Sequence, residues 1–240
     1  MKFEPIEAAS LTDLFIEQIE EKIFTGELRA GDRLPPEREI AKSMQISQTI
    51  VNNGFAVLAG RGLLKVVPRK GTFVADYLNE GGLEALSAVV HYTSRHFEIP
   101  FTVDLYRFRL ACESAFFPMA CLKMTVQDRA ELSRYYQMTK ESTDDCEAFA
   151  ENWYQFIRFL SIASGNLVYR MIINGHRQMY LAAFRALHHH AAMPDYFALT
   201  DKILRSFLDA DPTSLHEHIR EYQEYEIGIL EANGFFKQKK

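Results

Sequence analysis

Apolar residues recur at three- and four-residue spacing along most of this 240-residue chain, a period that predicts helices. One run covers 11–25, follows Ser10 as a candidate N-cap, and stops at Gly26, as helices often do at glycine. A second helix is predicted from Pro36, because proline fits the first turn of a helix. A third is predicted after Ser47, another good N-cap.

The third helix has two dissimilar faces, and it ends at Gly60 or Gly62. Its apolar positions are Ile50, Val51, Phe55, Val57 and Leu58. Its other face has amides and a hydroxyl but no carboxylate: Gln48, Thr49, Asn52 and Asn53. Two short apolar runs follow, LLKVV and TFVA, and the basic turn PRKG that joins them predicts a hairpin. The order helix, helix, turn, helix, hairpin predicts a winged helix-turn-helix.

The charge pattern indicates what this unit binds. The chain as a whole carries a net charge of -5, yet no acidic residue lies between Glu39 and Asp76. The basic residues of that window are Lys42, Arg61, Lys65, Arg69 and Lys70. A local positive surface suits phosphates, while amides and hydroxyls suit base edges. A purely structural three-helix unit is the alternative, but it has no need to exclude every carboxylate.

The remaining two thirds of the chain read as helix almost throughout. The segment 77–82 contains two glycines and is predicted to be a linker between a DNA-binding domain, 1–76, and an all-α domain, 83–235. The predicted helices cover 83–97, 101–123, 126–142, 145–163, 167–190, 195–209 and 213–232. Pro118 should kink or split the second of them. The fold class is therefore mostly α, a winged helix-turn-helix followed by a helical bundle.

Composition excludes several other classes of protein. An apolar fraction of 48% is enough for substantial cores, and no signal-like segment or membrane span is visible, so we expect a cytoplasmic protein. Three cysteines with no zinc-type spacing predict buried thiols. The run HHH at 188–190 predicts a solvated helix end, because adjacent helical residues point about 100° apart and cannot converge. No catalytic signature stands out, so we expect no enzyme.

The stretches GELRAGDRLPPEREIAKSMQIS and GLLKVVPRKGTFV resemble the GntR family of bacterial transcription factors. The resemblance implies a homodimer on a double-stranded DNA operator, with Arg38 in contact with DNA. Gln48 and Asn52 stand where the family usually has arginines, so we expect an unusual operator. The predicted DNA-binding residues are Arg38, Ser47, Gln48, Thr49, Asn52, Arg69, Lys70 and Gly71.

The helical part resembles the ligand-sensing domain of the FadR branch of that family, most clearly in EAFAENWYQFIRFLSIASGNLVYRMIINGHRQMY. This resemblance implies a small-molecule effector, with long-chain acyl-CoA as first candidate. Relatives that bind metal use an Asp and three His, and the corresponding positions here are Trp153, Ile157, Thr200 and Tyr222. Since neither Trp153 nor Ile157 can ligate, we predict no metal there.

The predicted ligand-binding residues are mostly aromatic: Arg109, Trp153, Phe156, Ile157, Tyr180, Phe184, Tyr222 and Glu226. Arg109 either pairs with Glu113 four residues on or faces a polar ligand. Glu226 belongs to a stretch, QEYEIGIL, that departs from the branch at Gln223, Glu226 and Leu230, and a glutamate facing a CoA phosphate would be unfavourable. A different apolar or organic-acid effector is therefore the alternative. The second alternative is a small-molecule carrier or an enzyme whose winged helix contacts proteins.

Overall fold

The computed structural model describes residues 10–93 and 101–234, with side chains from residue 104 in the second range. It consists of two compact units that divide between Tyr92 and Thr93. The described part of the chain contains eleven α-helices and one two-stranded hairpin, which confirms the predicted fold class.

The first unit is built on α1 (Leu11–Phe24), α2 (Glu37–Met44) and α3 (Gln48–Gly60). Ser10 and Ser47 cap α1 and α3 by accepting hydrogen bonds from backbone amides, as predicted. The rings of Phe15 and Phe55 meet with centroids 5.9 Å apart in the contact between these two helices. Gly54 permits that approach, because a Cβ there would lie 2.2 Å from Phe15 Cδ1.

The hairpin consists of β1 (Leu64–Val67) and β2 (Gly71–Val74), paired antiparallel with Leu64 opposite Val74. The structure adds a third segment that the sequence pattern did not predict. Arg33 pairs with Phe73, the Leu34 amide donates to the Thr72 carbonyl at 2.9 Å, and the Val74 amide donates to Asp32 at 2.9 Å. The loop before α2 is therefore fixed to the wing.

Helix α4 (Leu83–Thr93) groups with the first unit, although the sequence pattern assigns residue 83 to the helical domain. The Tyr92 ring lies against Phe24 of α1, with centroids 5.0 Å apart, which gives the physical reason. The predicted end of this helix, at 97, lies outside the described residues.

The second unit contains the seven remaining helices. They are α5 (Phe101–Lys123), α6 (Val126–Glu141), α7 (Cys146–Ala163), α8 (Leu167–Gly175), α9 (Arg177–His190), α10 (Met193–Leu208) and α11 (Pro212–Ala232). Helix α7 packs against α5, α6, α8 and α9 and forms the centre of the unit. Its N-cap is Asp145, and Thr125 with Asp128 forms the capping box of α6.

Two predictions in this unit need correction. The continuous helix predicted over 167–190 is wrong, because the chain leaves helical geometry at His176 (φ -97°, ψ 15°), where α8 ends and α9 begins. Of the two outcomes predicted for Pro118, a kink or a split of α5, the split is wrong, because α5 runs through Pro118 as one helix. Within the described residues, no helix is both long and apolar enough to cross a membrane.

Candidate nucleic-acid interface and buried charge cluster

The first candidate site is the exposed side of α3. The four polar residues predicted to face DNA, Gln48, Thr49, Asn52 and Asn53, are all exposed. The sequence pattern places Val57 on the apolar side of α3, and this prediction is wrong because the residue is 39% exposed. The core side of α3 is instead formed by Val51, Gly54, Phe55 and Leu58.

Asn52 has a neighbour on α2. With its amide nitrogen turned toward α2, Asn52 donates to Glu37 Oε2 at 3.2 Å and to the Gln48 carbonyl at 3.3 Å. This orientation leaves the carboxamide oxygen directed away from the carboxylate. Glu37 therefore takes part in orienting a predicted base-reading side chain, a role that sequence spacing did not reveal.

The turn of the wing presents Arg69 and Lys70, both exposed, as predicted. Arg69 adopts a left-handed conformation (φ 64°), and the Lys70 amide closes the turn on the Val67 carbonyl at 3.0 Å. Gly71, also left-handed (φ 113°), lies under Arg33: a Cβ there would be 3.0 Å from Arg33 Nε. Glycine is favoured at this position by the left-handed backbone, and the absence of a Cβ lets the Arg33 side chain lie close to it.

Arg33 is thus a candidate phosphate contact that sequence reasoning missed. It is exposed and lines, with Pro36, Glu37 and Gly71, a pocket of about 210 Å³ beside the wing. Gly71 is the sequence feature that indicates a close neighbour at this turn. The sequence does not show that this neighbour is Arg33, because the pairing of Arg33 with Phe73 joins residues 40 positions apart.

Arg61 has a different environment from the other cations of the acid-free window. Its Nη1 pairs with Oε1 of Glu20, which is 97% buried on α1. Arg61 therefore neutralises a buried carboxylate of the three-helix core, while Lys42 and Lys65 are exposed.

The second candidate site is a buried charge cluster in the second unit, formed by Arg109, Glu113, Glu226 and the tyrosines around them. Arg109 is completely buried. Its Nη1 donates to Glu113 Oε1 at 3.1 Å, and its Nη2 donates to Glu226 Oε2 at 2.5 Å. The predicted pairing with Glu113 is present, and the contact with Glu226 of α11 comes in addition to it.

Tyrosines complete the charge cluster. Tyr106 donates to Glu226 Oε2 at 2.8 Å, Tyr222 donates to Glu226 Oε1, and the Tyr222 hydroxyl lies 3.2 Å from that of Tyr196. The Tyr180 and Phe184 rings each lie 5.6 Å from the Arg109 guanidinium carbon. A buried arginine is thereby surrounded by two carboxylates and several aromatic rings.

Burial controls the protonation of this cluster. The pKa of Glu113 is raised from 4.5 to about 7, chiefly because burial removes its hydration, with Arg109 opposing the rise and the nearby Glu226 adding to it. Burial likewise raises the pKa of Tyr106, Tyr180 and Tyr222. At neutral pH, Glu113 is consequently close to its titration point.

Several buried polar atoms at this site lack a hydrogen bond of normal geometry among the described residues. They are Arg109 Nε, Glu113 Oε2, the Tyr180 hydroxyl and Trp153 Nε1. The Tyr180 hydroxyl and Glu113 still lie close enough to interact electrostatically. Because Tyr180 and Glu113 interact with each other, the buried donors left for a polar ligand group among the described residues are Arg109 Nε and Trp153 Nε1.

An aromatic wall adjoins the charge cluster. Trp153 stacks on Phe184 with centroids 5.9 Å apart and meets Phe156 edge-on at 4.9 Å. Ile157 is buried one turn further along α7. All eight residues predicted to bind a ligand are therefore buried in this unit, and Arg109, Tyr180, Phe184, Tyr222 and Glu226 meet directly or through one another.

Sequence profiles of known families match both units. The profile for bacterial regulatory proteins of the gntR family matches residues 13–74, and that for the FadR C-terminal domain matches residues 75–222, more than half of the chain. The chain belongs to the FadR-type regulators of the GntR family. The two profiles meet between residues 74 and 75, whereas the compact units divide between 92 and 93.

Individual relatives agree with this assignment. The fatty acid metabolism regulator protein of Klebsiella pneumoniae is 27% identical over 217 residues, 90% of this chain and 87% of that protein. The protein of the same name from Proteus mirabilis is 29% identical over 175 residues, covering 73% and 71%. Among solved structures, Lar, which controls the agr system of Listeria monocytogenes, superposes with a TM-score of 0.50 at 16% identity, covering 94% and 99%, and shows the fold alone.

The three departures from the FadR pattern on α11 all contribute to contacts with α5. Gln223 donates to the Leu110 carbonyl and to Ser114 Oγ, both at 2.9 Å. Glu226 binds Arg109, and Leu230 is buried in a core cluster with Leu110. These residues therefore join α11 to α5.

Proposed function

We propose that this GntR-family regulator binds a palindromic operator as a homodimer and that an effector held in its helical unit controls that binding. A long-chain fatty acyl thioester, acyl-CoA, is the leading class of effector. The observation that carries the proposal is that a winged helix-turn-helix, free of acidic residues between Glu39 and Asp76, is joined to a FadR-type domain whose core holds a buried arginine.

The DNA part rests on the exposed polar face of α3 and on the basic turn of the wing. Arg38 and Lys70 are exposed on α2 and the wing, where phosphates of a duplex lying along α3 would reach them. We expect Arg38→Ala and Lys70→Ala each to weaken operator and random DNA alike and to lower the salt slope by about 0.9 per phosphate contact.

Fluorescence anisotropy with labelled duplexes at several salt concentrations measures both effects. Lys202→Ala, a cation exposed on α10 of the other unit, is the matched control and should leave binding unchanged. Normal binding and an unchanged salt slope in both test variants would contradict the proposed surface.

Sequence reading is assigned to Gln48 and Asn52. Amides pair well with adenine, whereas arginine pairs with guanine, and each good pair contributes about 1–3 kcal/mol. The double variant Gln48→Arg/Asn52→Arg should therefore shift the selected half-site toward guanine. A selection from random duplexes that returned one consensus for wild type and variant would refute this assignment.

The effector part rests on the character of the buried site and on the names of the relatives. The aromatic wall offers apolar surface for an acyl chain, and the charge cluster offers Arg109 and unsatisfied polar atoms for a thioester or headgroup. Because both Arg109 nitrogens that face carboxylates are occupied, an anionic group must displace Glu113 or Glu226. A ligand controls DNA binding only if its affinity differs between the DNA-competent and DNA-incompetent conformations. Displacing a carboxylate from Arg109 changes the contacts around that side chain, and this change supplies such a difference.

Calorimetric titration with long-chain acyl-CoA, the matching free fatty acid and CoA alone tests this proposal. We expect heat and stoichiometric binding with the acyl thioester, little with CoA, and an altered operator affinity in its presence. Binding without any change in operator affinity, or no binding of the thioester, would remove the acyl-CoA assignment while leaving the regulator intact.

An organic acid or another apolar effector is the second candidate. The engagement of Gln223, Glu226 and Leu230 with α5 favours it, because a bulky CoA headgroup near α11 would have to break these contacts. Binding of the free fatty acid with the thioester excluded would select this candidate. The variant Glu226→Gln, which keeps the side-chain size but lowers the negative charge around Arg109, should tighten binding of an anionic effector.

A further inference from the structure

Three side chains with metal-binding chemistry meet where the start of α7 lies beside the end of α9, and none of them belongs to the buried charge cluster. Cys146 is the first residue of α7, and His188 and His189 lie in the last turn of α9, which packs along α7. One ligand atom from each lies within 4.8 Å of the others. The Cys146 Sγ to His189 Nε2 distance is 3.6 Å.

His188 is held in a form suited to metal binding. Its Nε2 lies 2.8 Å from the Thr143 carbonyl oxygen, and since a carbonyl only accepts, Nε2 carries the proton. Nδ1 then carries the lone pair, and it is buried without a partner among the described residues. Histidines that bind metals commonly donate their other nitrogen to such an oxygen. The Phe149 ring, 5.1 Å away, packs against the imidazole.

An ion pair that involves none of these three residues holds the two helix ends together. Arg185 and Glu147 form a two-pronged ion pair across the same helix ends, with Nε to Oε1 at 2.7 Å and Nη2 to Oε2 at 2.6 Å. This pair holds α9 beside the start of α7. Cys146 is half-buried and His189 exposed, so an ion can reach the cluster from solvent.

We propose that Cys146, His188 and His189 form a binding site for Zn²⁺ or a similar thiophilic divalent ion. With Zn–S near 2.3 Å and Zn–N near 2.0 Å, ligand atoms of a tetrahedral site lie about 3.5 Å apart, which the Cys146–His189 distance already matches. The other two ligand-atom distances are at most 4.8 Å, and rotation of the exposed His189 side chain shortens its distance to the His188 ligand atom. On binding, the Cys146 thiol releases its proton to solvent, and water takes the fourth position.

This site differs from the one excluded by sequence. None of its three residues is at the family positions now occupied by Trp153, Ile157, Thr200 and Tyr222. The prediction that adjacent histidines of the HHH run cannot converge is wrong for His188 and His189, because their ligand atoms meet beside Cys146 of a second helix, a partner that the sequence order concealed.

Titration of the full-length, tag-free protein with Zn²⁺ against a chromogenic chelator tests the proposal, and Co²⁺ provides a spectrum with thiolate-to-metal absorption. We expect one ion per chain. Cys146→Ser and His189→Ala should each weaken Zn²⁺ binding at least tenfold. Loss of a residue that hydrogen-bonds to a metal ligand already lowers metal affinity by about tenfold or more, and loss of the ligand itself should lower it further. Zn²⁺ should also raise the thermal midpoint of wild type but not of Cys146→Ser.

The control variant is His190→Ala, one residue further along and outside the cluster, which should keep wild-type affinity. Far-UV circular dichroism checks that each variant folds. Cys146→Ser retains the buried Cys112 and Cys121, so a thiolate–cobalt band that survives in this variant would overturn the proposal. Equal Zn²⁺ affinity in wild type and both test variants, or no binding by wild type, would overturn it as well.

Discussion

Replacing Glu113 by glutamine tests the electrostatics of the buried charge cluster. Glu113 is 1% exposed, one of its oxygens accepts from Arg109, and the other has no hydrogen bond of normal geometry among the described residues. Glutamine keeps the shape and the acceptor but cannot ionise. Glu226 continues to neutralise Arg109 in the variant.

The expected magnitude follows from the pKa of Glu113, which burial raises to about 7 from 4.5. Between these values the folded protein binds more protons than the unfolded chain, so the free energy of unfolding falls as pH rises through this window. Each pH unit contributes about 1.4 kcal/mol, so the loss accumulated between pH 5 and pH 8 is roughly 2–3 kcal/mol. Glu113→Gln removes this loss, and the variant should gain that much relative to wild type as pH rises.

Urea unfolding from pH 5 to pH 8, followed by the fluorescence of Trp153, measures this difference. Trp153 is the only tryptophan of the chain and is buried in the second unit, so its emission reports the unfolding of that unit. Glu224→Gln, at a side chain 72% exposed on α11, is the control and should follow the wild-type pH profile. Parallel profiles for Glu113→Gln and wild type would refute the reasoning, because they would show that Glu113 stays charged while buried.

Three further substitutions have defined outcomes. Gly54→Ala should destabilise the first unit by about 1–3 kcal/mol in thermal unfolding, because its Cβ meets the buried Phe15 ring, while Gly60→Ala, with nothing within 4 Å, should not; equal midpoints would contradict the packing. Ser47→Ala should cost about 0.5–2 kcal/mol through the lost cap of α3, measured by circular dichroism, and an unchanged midpoint would count against the cap. Arg109→Met should cost about 3–5 kcal/mol at pH 8 and less at pH 5, where the stranded carboxylates take up protons; a cost independent of pH would be inconsistent with a buried ion pair.

The sequence determined those features that depend on near neighbours along the chain. Helix caps at Ser10, Ser47, Thr125 and Asp145 are local, because a side chain bonds to an amide two or three residues on. The amphipathic period likewise places helices without knowledge of their partners. The winged helix-turn-helix order and the exposed amide face of α3 followed from these two signals, together with the acid-free window.

Tertiary structure alone decided which distant residues meet. Glu226 reaches Arg109 from 117 positions away, and Arg33 joins the wing through a strand pairing with Phe73 that no periodicity encodes. The break at His176 escaped prediction because apolar residues continue on both sides of it. Helix packing, unlike capping, depends on side chains remote in sequence, and it is packing that buried the charges and brought the end of α9 beside the start of α7.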